Sequence, residues 1–351
     1  MRDAGRGVSR GGAEGTESAG SARSAGSAGR AGNAASAGNA KTALGALLSG
    51  LVDYAGLFPP AALEMEDAVA RYARYVGSDE RWMLGRFILP VARLDEFVAA
   101  ADARVADLTA REPAQPWRLS VLAGPDDAAA IEKFNRDASP AGRWVIDTVE
   151  TKAADIETIW RLATAFDAHH TVFVEVPVVE DPTPLIGELA LRGLRAKIRT
   201  GGVTPDVFPS LEQVMRFLTA CARLSVPFKA TAGLHHPLRG QYGLTYESNT
   251  ARGTMYGFLN VFLAAVLLFD GTDESELLPL LEEGDAAAIE VHADSLSWRG
   301  HSVSTEEIAL ARASFAVSFG SCSFEEPVAD LAALGLLASA SDATQLQDSK
   351  R

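Results

Sequence analysis

The stretch "LRAKIRTGG" (Leu194–Gly202) decides the fold. Apolar and basic residues alternate along it, as is typical of a β-strand with two different faces, and two glycines close it. A near repeat, "PFKATAG" (Pro227–Gly233), carries Lys229 at a position 32 residues after Lys197. We therefore predict two neighbouring strands of a parallel sheet, each of which brings a lysine into the interior.

Strand-like and helix-like segments alternate on both sides of this pair. The strand-like segments are short, apolar and closed by Gly, Pro or a polar residue, as buried parallel strands are. They cover residues 50–58, 82–90, 117–124, 144–151, 171–177, 194–201, 227–233 and 314–321. Amphipathic stretches with helical spacing lie between them. Eight strands, each followed by a helix, predict an α/β protein with the (β/α)₈, or TIM-barrel, fold.

The domain organisation follows from the same count. Residues 42–351 are predicted to form one barrel domain, with residues 238–312 as a subdomain inserted between strands seven and eight. The insertion includes an apolar helix near residues 255–269, a hairpin near residues 288–304 and a capping box at Ser304–Glu307. Residues 1–41 are rich in Gly, Ala and Ser, cannot bury enough apolar surface to fold, and are predicted to be disordered.

Composition limits the partners and the compartment. A net charge of -14, without a basic stripe, argues against nucleic acid and against anionic membranes as partners. The longest apolar stretch, "GFLNVFLAAVLLF", is shorter than the roughly 20 residues that span a bilayer. The first forty-odd residues lack the apolar region of a signal peptide, so we do not expect them to be one. The two cysteines, Cys221 and Cys322, have no metal-type spacing. These features predict a cytoplasmic protein without a cofactor.

The paired lysines suggest the chemistry. Active sites of such barrels lie at the carboxyl ends of the strands, and adjacent strands lie only about 4.8 Å apart. A lysine amine attacks a carbonyl carbon only when it is unprotonated, and Lys229 as a neighbouring cation would favour that form of Lys197. Asp147, in strand four, is expected to act as general acid and base from across the barrel.

With these residues the chain resembles the deoxyribose-phosphate aldolase family of class I, Schiff-base aldolases. That family has a "KTSTG"-like strand, an "FKxxGG"-like strand and an "FGxSS"-like strand, which "KIRTGG", "FKATAG" and "FGSCS" match here. Its "VDVV"-like strand is matched by "VIDTV", with Asp147, and its first aspartate by Asp53 in "VDYAG". The resemblance implies that Lys197 forms the imine, that Lys229 is its charged partner and that Asp147 moves the proton.

The substrate is expected to differ from that of the family. "AGLHHP" carries His235 where the family has an Arg that holds phosphate, and Gly202 replaces a Lys. Arg86 and Arg199 would instead clamp a carboxylate. We therefore predict a small, non-phosphorylated aldehyde, ketone or keto acid as substrate. The expected substrate-binding residues are Asp53, Arg86, Glu175, Arg199, Thr200, Gly201, Gly233, His235, Ser321 and Ser323.

Other readings of the same residues stay open. Lys197 and Lys229 could form a purely structural ion-pair ladder with Asp147 and Glu175. Glu150, Glu175 and His235 are ligand types that would suit a metal-dependent lyase, isomerase or hydrolase, although the preferred reading uses no metal. A third class is a non-catalytic barrel that binds a ligand or forms a homo-oligomer through the insertion and its apolar helix. Cys322 is either a nucleophile or a buried structural thiol.

Overall fold

A computed structural model of the chain describes residues 42–108, 116–138, 143–166 and 169–337. The tail that was predicted to be disordered, residues 1–41, lies outside the described residues, as do residues 338–351.

Eight parallel strands close into a barrel, as predicted. Seven of them precede the insertion: β1 (Val52–Tyr54), β2 (Leu84–Pro90), β3 (Trp117–Leu122), β4 (Trp144–Lys152), β5 (Thr171–Glu175), β6 (Arg195–Arg199) and β7 (Phe228–Thr231). The eighth, β13 (Ala316–Ser321), follows it and closes the ring between β7 and β1. All eight strand predictions are confirmed, and the TIM-barrel fold with them.

Helices cover the outside of the barrel, and one helix precedes its first strand. Those before the insertion are α1 (Ala43–Leu48), α2 (Met65–Val76), α3 (Leu94–Leu108), α4 (Ala128–Ala138), α5 (Ile156–Ala165), α6 (Thr183–Arg192) and α7 (Leu211–Arg223). Their starts follow ordinary capping chemistry. Ser210 accepts a hydrogen bond from the backbone N–H of Gln213, and the Gln213 side chain accepts one from the N–H of Ser210.

The insertion between β7 and β13 is longer and more regular than a loop. Its elements are β8 (Gly240–Gly243), β9 (Arg252–Met255), α8 (Phe258–Phe269), α9 (Glu274–Glu282), β10 (Ile289–Val291), β11 (Ser295–Trp298), β12 (His301–Ser304) and α10 (Thr305–Ser314). The predicted hairpin is part of the three-stranded antiparallel sheet β10–β12, and the predicted capping box opens α10. The hairpin β8–β9 was not predicted. Helix α11 (Glu325–Ala333) follows β13.

Helix α8 is apolar all round, and the chain buries all of it except its last turn. Phe262 stacks on Phe228 of β7, and Phe258 stacks on Phe319 of β13. Asn260 donates hydrogen bonds to two backbone carbonyls at the end of α9. The helix therefore covers the seventh and eighth barrel strands, and its residues from Phe258 to Leu267 are buried within the chain. Among the described residues, no helix combines the length and apolarity that a membrane crossing requires.

The chain segments that follow β6 and β7 come into close contact at two glycines. Gly233 has a φ of +72°, and a Cβ built there would lie 2.8 Å from the Cα of Gly201. Gly187, in the middle of α6, has no atom within 4 Å of a built Cβ. The first position therefore requires glycine, whereas the second does not.

We expect Gly233→Ala to lower the free energy of unfolding by about 2 kcal/mol, because alanine is strained at this φ and clashes with Gly201. Gly187→Ala serves as the matched control and should raise it by about 0.5–1 kcal/mol, because glycine weakens a helix interior. Urea unfolding of the two variants measures both changes. A Gly233→Ala protein as stable as the parent would contradict this description of the strand ends.

Candidate active site

The register of three neighbouring strands brings the predicted lysines together. Lys197 of β6 lies opposite Lys229 of β7 and, on its other side, opposite Glu175 of β5. The alternate residues Ala196 and Ile198 are fully buried in the hydrophobic core. Because successive side chains of a strand point to opposite faces, both lysines face the barrel interior, as predicted.

One carboxylate lies between the two lysine amines. Glu150 of β4 accepts a hydrogen bond from Lys229 Nζ at 2.5 Å through Oε1 and another from Lys197 Nζ at 3.0 Å through Oε2. Ser120 Oγ of β3 donates a third bond to Oε1 at 2.7 Å. All four side chains are buried. Glu150 therefore joins the lysines into one charged unit.

Each lysine has a second carboxylate partner. Lys229 Nζ lies 2.8 Å from Asp53 Oδ2, which also accepts a bond from Ser318 Oγ at 2.7 Å. Lys197 Nζ lies 3.2 Å from Glu175 Oε2, although this oxygen makes no well-aligned hydrogen bond within the described residues. We call Asp53, Lys229, Glu150, Lys197 and Glu175 the lysine–carboxylate network. Branched apolar residues usually fill this layer of a barrel.

Burial and charge act in opposite directions in this network, and charge outweighs burial. Burial alone would raise the pKa of Glu150, but Lys229 and Lys197 hold it well below its usual range. Burial alone would lower the pKa of the Lys229 ammonium, but Asp53 and Glu150 raise it above its ordinary value. The pKa of Glu175 is likewise lowered, against burial, by Lys197 and Arg199. Glu150 is therefore an anion, and Lys229 a cation, at neutral pH.

Asp147 does not lie beside the lysines, and Glu150 takes the position expected for it. Ile146 pairs with Leu119 and Thr148 with the next residue of β3, so Asp147 is one extra residue in β4. Such a bulge changes which following residues face inward: Val149 is in the hydrophobic core, and Glu150 contacts the lysines. Unbroken alternation through β4 would have placed Asp147 beside the lysines, and the bulge places Glu150 there instead.

Asp147 belongs to a separate ion-pair group nearer the amino-terminal ends of the strands. Arg86 of β2 donates to it twice, from Nε at 2.6 Å and from Nη2 at 3.2 Å, and Arg118 donates from Nε at 2.6 Å. Arg199 lies instead at the carboxyl end of β6, where its Nε donates to Glu175 Oε1 at 3.1 Å. The predicted clamp of Arg86 and Arg199 on one carboxylate is therefore not formed. Arg86 contributes its backbone N–H, which donates to Asp53 Oδ1 at 2.6 Å.

The other predicted binding residues have local structural partners. Thr200 Oγ1 donates to the carbonyl of Ala232 at 2.5 Å and so ties the end of β6 to the end of β7, beside Gly201 and Gly233. Ser321 Oγ accepts from the N–H of Ser323, whose own Oγ accepts from the N–H of Glu326 at the start of α11.

A cavity of about 590 Å³ opens beside the carboxyl ends of β4, β5 and β6. Its charged lining includes Lys152, Glu175 and Arg199, and Lys152 Nζ lies 3.5 Å from Glu175 Oε1. Its apolar walls include Val176, Pro177, Val178, Phe208 and Pro209. Lys197 is only 3% exposed, so Glu175 separates the amine of Lys197 from the cavity.

The three residues predicted as ligands in the metal-dependent alternative do not meet at one point. Glu150 and Glu175 are engaged by lysines, whereas His235 Nδ1 lies 3.1 Å from Glu326 Oε2. Within the part of the chain that the structure describes, no three His, Cys, Asp or Glu side chains are arranged to hold a metal ion.

Ser120, Ser318 and Lys152 are site residues that were not predicted from the sequence. The two serines were visible as polar residues inside otherwise apolar strands, "WRLSVL" and "FAVSFG". In the middle of a buried strand such a residue needs a partner, and here the partners are Glu150 and Asp53.

Removing the shared carboxylate should destabilise the barrel. We expect Glu150→Gln to lower the free energy of unfolding at neutral pH by about 3–5 kcal/mol, because two buried ammonium groups lose a counter-charge. The pKa of Glu150 in the folded protein lies below its value in the unfolded chain, so its contribution is complete above about pH 5 and declines as pH falls below about 4. Denaturant unfolding at several pH values measures both effects.

Asp137→Asn is the matched control, because Asp137 pairs with Lys133 on an exposed helix surface. It should leave stability unchanged within error. A difference between parent and Glu150→Gln that did not shrink in acid would contradict the assigned protonation states.

Comparison of the chain with family models, with curated proteins and with solved structures gives no match in any of the three.

Proposed function

We propose that the protein is a cytoplasmic class I, Schiff-base lyase of the aldolase type, in which Lys197 forms an imine with a small, non-phosphorylated carbonyl compound. The observation that carries the proposal is the amine of Lys197 between two carboxylates, Glu150 at 3.0 Å and Glu175 at 3.2 Å, beside a second lysine. Both cysteines are free thiols, in keeping with a reducing compartment.

The carboxylates of Glu150 and Glu175 would accept and return the protons that move during imine formation. Lys197 must lose a proton before it attacks a carbonyl carbon, and the carbinolamine that follows must gain one to release water. When Lys197 gives up its proton, Glu150 and Glu175 lose a counter-charge, and each becomes more basic. The proton therefore has an acceptor within hydrogen-bonding distance at each stage. This is the role that the sequence assigned to Asp147.

Lys229 has a different role from Lys197. Asp53 and Glu150 keep it protonated, and it is completely buried. It holds Glu150 in one orientation through the 2.5 Å hydrogen bond. Lys229 is therefore a positioning residue, and Lys197 is the nucleophile.

Access to Lys197 requires a movement of Glu175. Its Oε1 already lies near Arg199 and Lys152 on the cavity side, and its Oε2 contacts Lys197 without a well-aligned hydrogen bond. A small rotation toward the cavity would keep Glu175 paired and would open Lys197 to a carbonyl group. Arg199, with 43% of its side chain exposed, is placed to bind a polar group of the substrate.

Borohydride trapping tests the proposal. Full-length protein is incubated with acetaldehyde, glyceraldehyde or pyruvate, reduced, digested and analysed by mass spectrometry. We expect a stable adduct on the peptide that contains Lys197, saturable in at least one of these compounds. Lys197→Arg keeps the positive charge but cannot form the imine, and it should lose the adduct.

Lys152→Met is the matched control, because Lys152 is an exposed lysine that lines the same cavity. It should retain the adduct at Lys197. Unsaturable labelling of Lys152 and Lys133, with Lys197 unmodified, would contradict the proposal. That result would leave the network as a structural ion-pair ladder.

A further inference from the structure

The cavity beside the lysine–carboxylate network is larger than a very small carbonyl compound requires. Its volume of about 590 Å³ lies within the range of roughly 300–1,000 Å³ that is typical of pockets for drug-sized molecules. Charged groups gather around Glu175, because Lys152 Nζ lies 3.5 Å and Arg199 Nε 3.1 Å from its Oε1. A carbonyl group that reaches Lys197 past Glu175 therefore leaves most of the cavity free for another part of the same molecule.

Two segments of the chain form apolar walls in this cavity. Val176–Val179 follows β5, and Val207–Pro209 lies between β6 and α7. Val179 is 73% exposed and Val207 is 38% exposed, although both line the cavity. The polar side chains of the lining away from Glu175 are those of Thr158, Asp206 and Gln213. Exposed apolar side chains that gather in a concave surface indicate a place where a ligand binds.

The two glycines that follow β6 determine where the second wall lies. A Cβ built at Gly201 would overlap the ring of Phe208, and one built at Gly202 would lie 2.6 Å from Val207 Cγ2. A side chain at either position would push the wall outward, so glycine is needed for this close approach. Gly201, which was predicted to bind substrate, gives room to the ring of Phe208. The Gly-Gly pair thus shapes an apolar surface next to the lysines.

Hydrogen bonds from two other elements hold both walls in place. Arg216 of α7 donates from Nη2 to the carbonyl of Val178 at 3.0 Å and to the carbonyl of Val179 at 3.2 Å. Tyr256, which lies between β9 and α8, is buried and donates from Oη to the carbonyl of Pro209 at 2.8 Å. The cavity is therefore formed before a ligand binds, as most sites for small molecules are.

We propose that these two walls bind the side chain of the substrate, and that the substrate is a carbonyl compound with a branched apolar side chain. Its carbonyl group lies at the charged end of the cavity, near Glu175 and Lys197, and its side chain lies against Val178, Val179 and Phe208. An apolar group leaves water there without needing a hydrogen-bond partner. That the ligand is a substrate rests on the proposed function, whereas the apolar site itself does not depend on the chemistry of Lys197.

Borohydride trapping with a matched pair of aldehydes tests this proposal. Isovaleraldehyde and acetaldehyde have the same reactive group, but isovaleraldehyde carries a branched side chain in addition. Each methylene that is fully buried strengthens binding by about fourfold. With full-length protein, we expect the adduct on Lys197 to reach half-saturation at a concentration at least about tenfold lower for isovaleraldehyde than for acetaldehyde, because three further carbons leave water.

Two variants locate the side-chain site. Phe208→Ala removes most of one wall and should reduce the tenfold difference between the aldehydes to about threefold or less. Val179→Ser removes a largely exposed side chain on which folding does not depend, and it should raise the half-saturation concentration of isovaleraldehyde about two- to threefold. Leu191→Ser is the matched control, because Leu191 is an exposed residue of α6 that does not line the cavity. It should leave both half-saturation concentrations unchanged.

A ligand without a carbonyl group separates this proposal from imine formation. Isoamyl alcohol has the same side chain as isovaleraldehyde, and saturation-transfer NMR detects its binding without any reaction at Lys197. We expect saturation of its methyl groups by the parent protein and a weaker signal with Phe208→Ala and with Val179→Ser.

The outcomes for the two proposals differ. An adduct on Lys197 with equal half-saturation for the two aldehydes would overturn the side-chain site and leave the imine proposal intact. If no aldehyde modifies Lys197 but isoamyl alcohol binds in a way that depends on Phe208, the imine proposal fails and the apolar site stands. No binding of the alcohol, or binding that both variants leave unchanged, would overturn the side-chain site whatever happens at Lys197.

Discussion

The carboxylate of Glu150, held between two lysine amines, is the interaction on which the interior of this barrel depends. Charge placed where branched apolar side chains usually pack must be paired and hydrogen-bonded. Lys197 and Lys229 bind the two oxygens of Glu150, and each also contacts a further carboxylate. Ser120 donates to Glu150 as well. The register between β6 and β7 makes this arrangement possible, because it sets the two lysines directly opposite each other.

Much of the fold could be predicted from the sequence because the barrel repeats one simple pattern. Short apolar strands closed by Gly, Pro or a polar residue gave all eight strands, and alternation along β6 and β7 placed both lysines inside. The same rule failed at Asp147, where one extra residue in β4 turns Glu150 toward the lysines. A bulge depends on pairing with the neighbouring strand, so no local pattern in "WVIDTVE" announces it.

The rest of the candidate site comes from contacts between distant parts of the chain. His235 and Cys322 are 87 positions apart, and Tyr246 reaches Cys322 from a hairpin that the sequence pattern did not predict. The barrel mouth therefore has two chemically different sides. Near β4 to β6, Glu175 links the buried lysines to a cavity. Near β7 and β13, the thiol of Cys322 lies beside His235 and Tyr246, which both contact Glu326. The insertion supplies the cover for the second side, and its helix α8 completes the outer layer.

A double-mutant cycle on Glu150 and Lys229 tests the central claim most directly. Unfolding free energies are measured for the parent, Glu150→Gln, Lys229→Met and the double variant. If the carboxylate and the amine form one buried unit, removing the second partner adds little to the loss from the first, and the coupling energy reaches about 2–3 kcal/mol. Additive losses, with coupling below about 0.5 kcal/mol, would mean that the two groups do not interact in the folded protein and would contradict the account.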